Sequence, residues 1–115
     1  MSHFRDKPIT ERKKDVHSML KKYVGRIPII IDKVKNSPVP DLDKTKYLVP
    51  SDLTVGQFLY VIRKRIKLEP SQAIFIFFKN ELVNTGMSVG EVYEKYKNID
   101  DEMLYATYSG ESTFG

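Results

Sequence analysis

The sequence predicts a single α+β domain, and three observations lead to this prediction. Some short runs are rich in β-branched and aromatic residues, as strands are, and others carry apolar residues at helical spacing. Two of the helical runs begin at a capping-box motif. The elements follow the order helix, strand, strand, helix, strand, short strand, short helix, strand, which is typical of an α+β fold. With 115 residues, 41% of them hydrophobic, the chain suffices for one core.

The first predicted element is a helix over residues 10–24. Pro8 separates it from a short turn or helix around residues 4–7, and Gly25 ends it. Lysines lie opposite an apolar stripe at positions i, i+3, i+4, i+7 and i+8. We expect this stripe to pack against the rest of the domain rather than on a membrane. It consists of Val16, Met19, Leu20, Tyr23 and Val24.

Two strands should follow this helix. Residues 26–32 form a β-branched run that indicates a buried strand. Pro28 lacks an N–H group, so we expect it at the start of the strand or on an edge side. Residues 35–45 are rich in proline, asparagine and aspartate and indicate an irregular loop. The second strand, residues 47–50, is short because Pro50 stops it.

Two capping boxes predict the remaining helices. Thr54 and Gln57 open a helix whose last turn is basic, which suits the negative end of the helix dipole. Ser88 and Glu91 open a shorter helix. The buried face of the longer helix should consist of Phe58, Leu59, Ile62 and Ile66. Three more strands are predicted, the first apolar on both faces and therefore central: residues 74–78, 81–83 and 104–108.

The composition argues against several classes of function. There is no cysteine, and therefore no disulfide, thiolate nucleophile or cysteine-based zinc site. His3 and His17 lie 14 residues apart in a basic region without a convincing carboxylate partner, which argues against a metal site or a catalytic triad. No residue pair makes an activated nucleophile, so we do not expect an enzyme. No apolar run approaches the ~20 residues of a membrane span or resembles a signal peptide, so we expect a cytoplasmic protein.

Charge is distributed unevenly along the chain. Residues 1–67 carry a net charge of +9 and residues 68–115 a net charge of −5, which together give +4. This asymmetry favours an acidic partner on the basic half, although solvated surface charge explains any single lysine. The basic run 63–67 permits a nucleic-acid binder. However, a helix C-terminus is stabilised by positive charge in any case, so no nucleic acid is expected as a partner.

The sequence ends in glycine, after an apolar strand and a short polar tail. Gly115 has no Cβ, so its carboxylate could enter a narrow enzyme channel that any side chain would block. One interpretation is that this carboxylate is a reacting group. The other is that a tail merely happens to end in glycine.

A similarity to known proteins extends over nearly the whole chain without large gaps. It is carried by residues 26–28, 43–58, 63–66, 73–77 and 105–115, and the 43–66 block is highly specific. These segments resemble the autophagy ubiquitin-like modifiers, the family of GABARAP and its relatives.

The resemblance implies a fold and a division of the chain. A ubiquitin-like β-grasp core would span residues 26–109, after an N-terminal helical extension at residues 1–25 and before a flexible conjugation tail at residues 110–115. The element order from residue 26 onwards is β-β-α-β-β-α-β, which agrees with that fold. By itself this order establishes only the α+β class.

The resemblance also implies a function. Members are attached through a C-terminal glycine, here Gly115, to phosphatidylethanolamine on autophagosomal and vesicle membranes, where they recruit cargo receptors. Activating and conjugating enzymes and a processing or deconjugating cysteine protease would supply the catalytic cysteines, and no cofactor is implied. Two acyl chains would hold the protein stably on the membrane. The alternative is a ubiquitin-like peptide-binding adaptor that is never conjugated.

The resemblance further implies a peptide-docking face. An extended peptide with an aromatic-x-x-aliphatic motif would add to the edge strand at residues 46–49. Lys44, Lys46 and Arg65 would meet acidic residues of the motif. The aromatic pocket would be lined by Asp15, Met19, Pro28, Ile30, Lys46, Leu48 and Met103. The aliphatic pocket would be lined by Tyr47, Val49, Pro50, Leu53, Phe58 and Val61. An ideal strand points residues i and i+3 to opposite faces, so we expect the peptide to twist or to leave the ladder between its anchors.

The residues themselves leave part of this assignment open. Leu53 and Phe58 suit a core as well as a pocket. Tyr47 and Leu48 are adjacent on a strand and point to opposite faces, so an exposed apolar side chain is expected there. Met19 and Met103 stand where relatives commonly carry other apolar residues, and two methionines would make the aromatic pocket more adaptable.

Overall fold

The computed structural model describes residues 4–111, and in that range the chain forms three α-helices and one five-stranded mixed sheet. A 3₁₀ turn at Phe4–Asp6 precedes the first helix, as predicted. The helices are α1, Ile9–Lys22; α2, Val55–Arg65; and α3, Val89–Tyr96. The strands are β1, Arg26–Lys33; β2, Lys46–Pro50; β3, Phe75–Phe78; β4, Glu81–Leu82; and β5, Leu104–Ser109.

Parallel and antiparallel pairs occur side by side in the sheet. Its order is β2-β1-β5-β3-β4, and Ile29 of β1 faces Tyr47 of antiparallel β2 on one side and Leu104 of parallel β5 on the other. The α+β prediction is therefore confirmed. The strand predicted to be central, β3, lies inside the sheet between β5 and β4, and β5 occupies the middle position.

Pro28 lies near the start of β1, as predicted. It faces Leu48 of β2, and the parallel pairing with β5 begins one residue later, at Ile29. The residue without an N–H group therefore falls just before the parallel ladder.

The sheet buries side chains on both faces. Ile29 and Ile31 of β1 join Phe58 of α2 in a large cluster between the sheet and the helices α2 and α3. Alternate residues of β1 point the other way, toward α1, which explains why this strand is apolar on both faces. The buried members of the small cluster on the α1 face are Phe4, Val16, Ile30 and Met103.

Both predicted capping boxes form. The Thr54 hydroxyl accepts a hydrogen bond from the Gln57 backbone N–H at 3.1 Å, and the Gln57 side chain accepts from the Thr54 N–H at 2.9 Å. Ser88 and Glu91 make the same reciprocal pair, with both distances at 3.1 Å. Each box satisfies two backbone donors that a helix start would otherwise leave unpaired.

The first helix is shorter than its apolar stripe predicted. It ends at Lys22, and Tyr23 and Val24 lie outside it, with Val24 85% exposed. Gly25 adopts a φ of +82°, which other residues rarely adopt, and the chain turns there into β1. The turn removes the last two stripe residues from the helix, so they do not join its packed face.

Candidate functional site

A cavity of about 340 Å³ lies between α1 and the edge strand β2, and we call it the α1–β2 cavity. It forms because α1 crosses the sheet on one face and leaves a gap beside the strand. The outer edge of β2 has no neighbouring strand in the described part of the chain, so it is free to pair with another strand. The cavity is lined by Asp15, Ser18, Met19, Lys22, Tyr23, Lys46 and Leu48.

The structure brings together four of the seven residues assigned to the aromatic pocket. Asp15 and Met19 of α1, with Lys46 and Leu48 of β2, lie on the wall of the α1–β2 cavity. The other three are buried behind that wall. They are Pro28, Ile30 and Met103, the last two with no exposed surface.

Three residues on the cavity wall were missed by the sequence analysis. Ser18 and Lys22 follow Asp15 at i+3 and i+7, so helical periodicity could have placed them on the same face. Tyr23 was expected in the packed stripe of α1 but lies beyond the end of the helix, beside the cavity.

The α1–β2 cavity carries excess positive charge. Asp15 is already paired, since one of its carboxylate oxygens lies 2.8 Å from Lys7 Nζ, and this hydrogen bond raises the pKa of Lys7. Lys22 lies over the ring of Tyr23 at 5.4 Å, and neither Lys22 nor Lys46 makes an ion pair among the described residues. The cavity therefore suits a ligand with an apolar group and acidic neighbours.

The residues assigned to the aliphatic pocket divide into core and surface. Tyr47, Val49 and Phe58 belong to the large cluster, and the Tyr47 and Phe58 rings meet edge to face with centroids 5.7 Å apart. Leu53 and Pro50 are half-buried. Val61 of α2 is 42% exposed. Tyr47, Val49 and Phe58 lie on the α2 face of the sheet, opposite the α1–β2 cavity, as expected from the opposite orientations of Tyr47 and Leu48.

Arg65 is held by an internal partner. Its guanidinium donates to both carboxylate oxygens of Asp43, at 3.0 and 3.2 Å, and this bond lowers the pKa of Asp43. Lys44 lies over the ring of Tyr47 at 5.1 Å. The Tyr47 hydroxyl is buried and makes no hydrogen bond of good geometry in the described part of the chain. Burial raises its pKa, and the nearby Arg65 guanidinium partly offsets that shift. The positive charges assigned to acidic motif residues thus lie around the beginning of β2.

His17 has a carboxylate partner that was not expected. Its Nε2 lies 2.8 Å from a carboxylate oxygen of Glu102, which corrects the inference that neither histidine had such a partner. The correction arises because the partner is 85 residues away along the chain. His3 lies outside the described residues. Among residues 4–111, no group of three or more His, Cys, Asp or Glu side chains is placed to hold a metal ion.

The C-terminal tail leaves the sheet beside a loop. The Gly110 N–H donates to the Ser37 hydroxyl at 3.1 Å, just after β5 ends. Gly115, the residue assigned to conjugation, lies outside the described residues. None of the helices within residues 4–111 has the length and apolar character needed to cross a membrane.

Comparison with known proteins connects this geometry to a family. Residues 11–115 match the family model described as autophagy protein Atg8, ubiquitin-like. The chain belongs to the Atg8 family. It is 53% identical over 110 residues to autophagy-related protein 8B of Oryza sativa subsp. indica, covering 96% of this chain and 92% of that protein. It is 53% identical over 115 residues to autophagy-related protein 8 of Coccidioides immitis, covering 99% and 97%.

A solved Atg8 structure has the same fold. The crystal structure of Trypanosoma brucei ATG8 superposes with a TM-score of 0.86 at 40% sequence identity, covering all of this chain and 98% of that one. The predicted ubiquitin-like fold and the resemblance to the autophagy modifiers are therefore confirmed. The chain is a ubiquitin-like autophagy protein of the Atg8 family, whose docking residues remain predictions.

Proposed function

We propose that this Atg8-family protein is a modifier conjugated through Gly115 to phosphatidylethanolamine, which then recruits partners by docking aromatic-x-x-aliphatic peptides. The observation that carries the docking part is the α1–β2 cavity, where Met19 and Leu48 stand beside the free edge of β2. Family membership supports the conjugation part. The protein would be cytoplasmic when free and bound to autophagosomal and vesicle membranes when lipidated.

The two sides of β2 explain how one extended peptide reaches two pockets. A peptide strand paired with the edge of β2 points residues i and i+3 to opposite faces, about 10 Å apart. The aromatic anchor would enter the α1–β2 cavity beside Leu48, and the aliphatic anchor would lie against Val61 on the α2 face. With the two anchors assigned to opposite faces, an extended peptide could reach both without the twist expected from the sequence.

The affinity for the peptide should depend on opposite charges and on the apolar area that the anchors bury. Lys46 in the cavity and Arg65 at the end of α2 would attract acidic residues near the aromatic anchor. Burying each apolar anchor contributes about 1.5–3 kcal/mol. After the cost of ordering the peptide, two anchors and a short backbone ladder give roughly micromolar affinity.

In conjugation the chain acts as a substrate. The activating enzyme would join the Gly115 carboxylate to AMP from ATP with loss of pyrophosphate, and an enzyme thiol would then displace AMP to form a thioester. The amine of phosphatidylethanolamine would attack the thioester carbonyl, form an amide and release the thiol. All catalytic thiols come from the enzymes, since the chain has no cysteine. Two acyl chains give stable membrane attachment.

Reconstituted lipidation tests this proposal. The protein is mixed with the family's activating and conjugating enzymes, ATP and phosphatidylethanolamine liposomes, and its intact mass is measured. We expect a mass increase of one lipid for the unmodified chain and for Ser112→Ala, a change in the same tail that keeps the terminal glycine. Gly115→Ala should give no product, because its Cβ obstructs the enzyme channel.

A well-studied relative in the same reaction verifies that the enzymes are active. If the relative is lipidated and this chain is not, the conjugation part is wrong. Binding of an aromatic-x-x-aliphatic peptide would then support the alternative, an unconjugated adaptor with the same docking site.

A further inference from the structure

A second cavity, of about 460 Å³, lies on the side of α1 away from the α1–β2 cavity. We call it the basic cavity because three cationic side chains line it: Arg5, Arg12 and Lys79. Asn80 and Asn98 contribute amide groups to the same wall. Its volume is within the range of sites that bind small molecules.

The cationic and amide side chains of this cavity come from four separate segments. Arg5 comes from the 3₁₀ turn, Arg12 from α1, and Asn98 from the loop after α3. Lys79 and Asn80 form the two-residue turn between β3 and β4, with φ values of +50° and +63°. Positive φ at both positions defines the tight turn that matches the twist of a hairpin, so the turn fixes the backbone positions of these two residues.

Among residues 4–111, only one of the three cationic groups has an ion-pair partner. Arg12 Nη1 lies 3.4 Å from a carboxylate oxygen of Asp101, which has no exposed surface. The same carboxylate accepts hydrogen bonds from the Met103 backbone N–H and from the Tyr105 hydroxyl. Asp101 therefore compensates the charge of Arg12 and positions it.

The other two charges are not compensated by ion pairs within the described part of the chain. The Arg5 guanidinium stacks 4.3 Å from the centroid of the Tyr105 ring, and neither Arg5 nor Lys79 has an ion-pair partner among residues 4–111. Glu81, which accepts a hydrogen bond from the wall residue Tyr96, offsets part of the charge. The cavity retains an excess of donors and positive charge.

We propose that the basic cavity binds a small ligand bearing several phosphate groups. A guanidinium, an ammonium and amide N–H groups all donate hydrogen bonds, and phosphate oxygens are strong acceptors that match this set. The cavity is larger than a single phosphate needs, which favours a ring that carries several. The ligand is either the headgroup of a phosphorylated lipid or a soluble polyphosphate ester, since both present the same chemistry.

The binding of two probes distinguishes these sources. Inositol trisphosphate is titrated into isotopically labelled protein and followed by amide chemical shifts. Vesicles of phosphatidylcholine with a minor fraction of phosphatidylinositol bisphosphate are tested by co-sedimentation of the unconjugated chain, so neither result depends on lipidation or peptide docking. We expect the backbone signals of Asn80 and Asn98 to shift with the soluble probe.

Two charge-removing variants locate the site. Lys79→Gln and Arg5→Gln should each weaken binding about tenfold, because each removes a charged donor. Lys64→Gln is the matched control, since it removes one exposed charge from the basic end of α2, away from the cavity. Thermal melting of all three verifies folding, which is expected because the replaced side chains are exposed.

The pattern of binding across the two probes and the three variants distinguishes the possible ligands. Binding of both probes, weakened in the cavity variants only, supports a general polyphosphate site. Binding of the vesicles alone, with the same pattern, supports a lipid headgroup as the ligand. The proposal is overturned if neither probe binds, or if Lys64→Gln weakens binding as much as Lys79→Gln, because the attraction would then be nonspecific.

Discussion

The Nε2 of His17 lies 2.8 Å from a carboxylate oxygen of Glu102 and joins the middle of α1 to the segment just before β5. Within α1 only Val16 is fully buried, so polar contacts matter for how this helix docks. Because α1 forms one wall of the α1–β2 cavity, the contact links the position of the helix to the shape of the candidate site.

The first prediction concerns the pH dependence of stability. The hydrogen bond with His17, aided by the charges of His17, Lys13 and Lys97, lowers the pKa of Glu102 below its ordinary value of 4.5. A carboxylate with a lowered pKa stabilises the fold above its unfolded-state pKa, and this contribution is lost as the pH falls through the folded-state value. The melting temperature of Glu102→Gln should therefore fall less steeply than that of the unmodified protein from about pH 5 to about pH 3.

Thermal melting across this pH range measures the difference. Glu69→Gln is the control, since Glu69 is exposed and its side chain makes no ion pair among the described residues. Identical slopes for Glu102→Gln and Glu69→Gln would show that the His17 contact does not stabilise the fold.

The second prediction compares two buried tyrosine hydroxyls. The Tyr47 hydroxyl makes no hydrogen bond of good geometry in the described part of the chain, although the Arg65 guanidinium lies near it, whereas that of Tyr108 donates to the Pro40 carbonyl at 2.8 Å. Tyr47→Phe removes a poorly satisfied polar group and should raise the free energy of unfolding by up to about 1 kcal/mol. Tyr108→Phe leaves a carbonyl unpaired and should lower it by about 1 kcal/mol. Chemical denaturation measures both, and changes of equal sign would contradict the assignment.

The third prediction tests the aromatic anchor. Leu48 is half-buried and lines the α1–β2 cavity. Leu48→Ala should therefore keep the fold and lower the affinity for an aromatic-x-x-aliphatic peptide about tenfold. Tyr60→Ala removes an aromatic ring that is 58% exposed on α2 and does not line the cavity, and should leave binding unchanged. Calorimetric titration of one peptide against both variants measures the two affinities. If the Leu48→Ala and Tyr60→Ala variants bind the peptide equally well, the aromatic anchor does not contact Leu48.

The fourth prediction concerns competition for Arg65. Asp43 holds this guanidinium in the free protein, so a peptide carboxylate must displace an existing partner. Asp43→Asn should tighten binding of a peptide with acidic residues beside its aromatic anchor about two- to fivefold. A peptide with glutamines at those positions should bind both proteins equally.

Asp41→Asn serves as the control for this prediction. Asp41 lies in the same loop but pairs with Lys33 at 3.2 Å, so its replacement changes the net charge without releasing Arg65. If Asp41→Asn tightens binding of the acidic peptide as much as Asp43→Asn does, the gain in affinity comes from net charge alone.

The helix and strand positions followed from the sequence because they depend on neighbouring residues. The capping boxes at Thr54 and Ser88 involve groups three residues apart, and the β-branched run of β1 involves alternate neighbours. The end of α1 was misplaced because periodicity continued through Tyr23 and Val24 while the turn at Gly25 had already ended the helix.

The candidate site was predictable only where the family pattern could be transferred. That pattern placed Met19 and Leu48 on the cavity wall, but it did not separate wall residues from Ile30 and Met103 behind them. Whether a strand residue is buried depends on which element packs over it. Here α1 packs over Ile30 and Met103, and it is distant in sequence from the β5 end of the chain.

The sequence alone therefore determined the α+β class, the element order and the Atg8-like pattern. The tertiary structure decided that Tyr47 is core, that Glu102 partners His17, and that three cationic groups meet in the basic cavity. The physical reason is the distance along the chain over which each interaction acts. Backbone caps and periodicity act over a few residues, whereas packing, ion pairs and cavities arise between segments that only the folded sheet brings together.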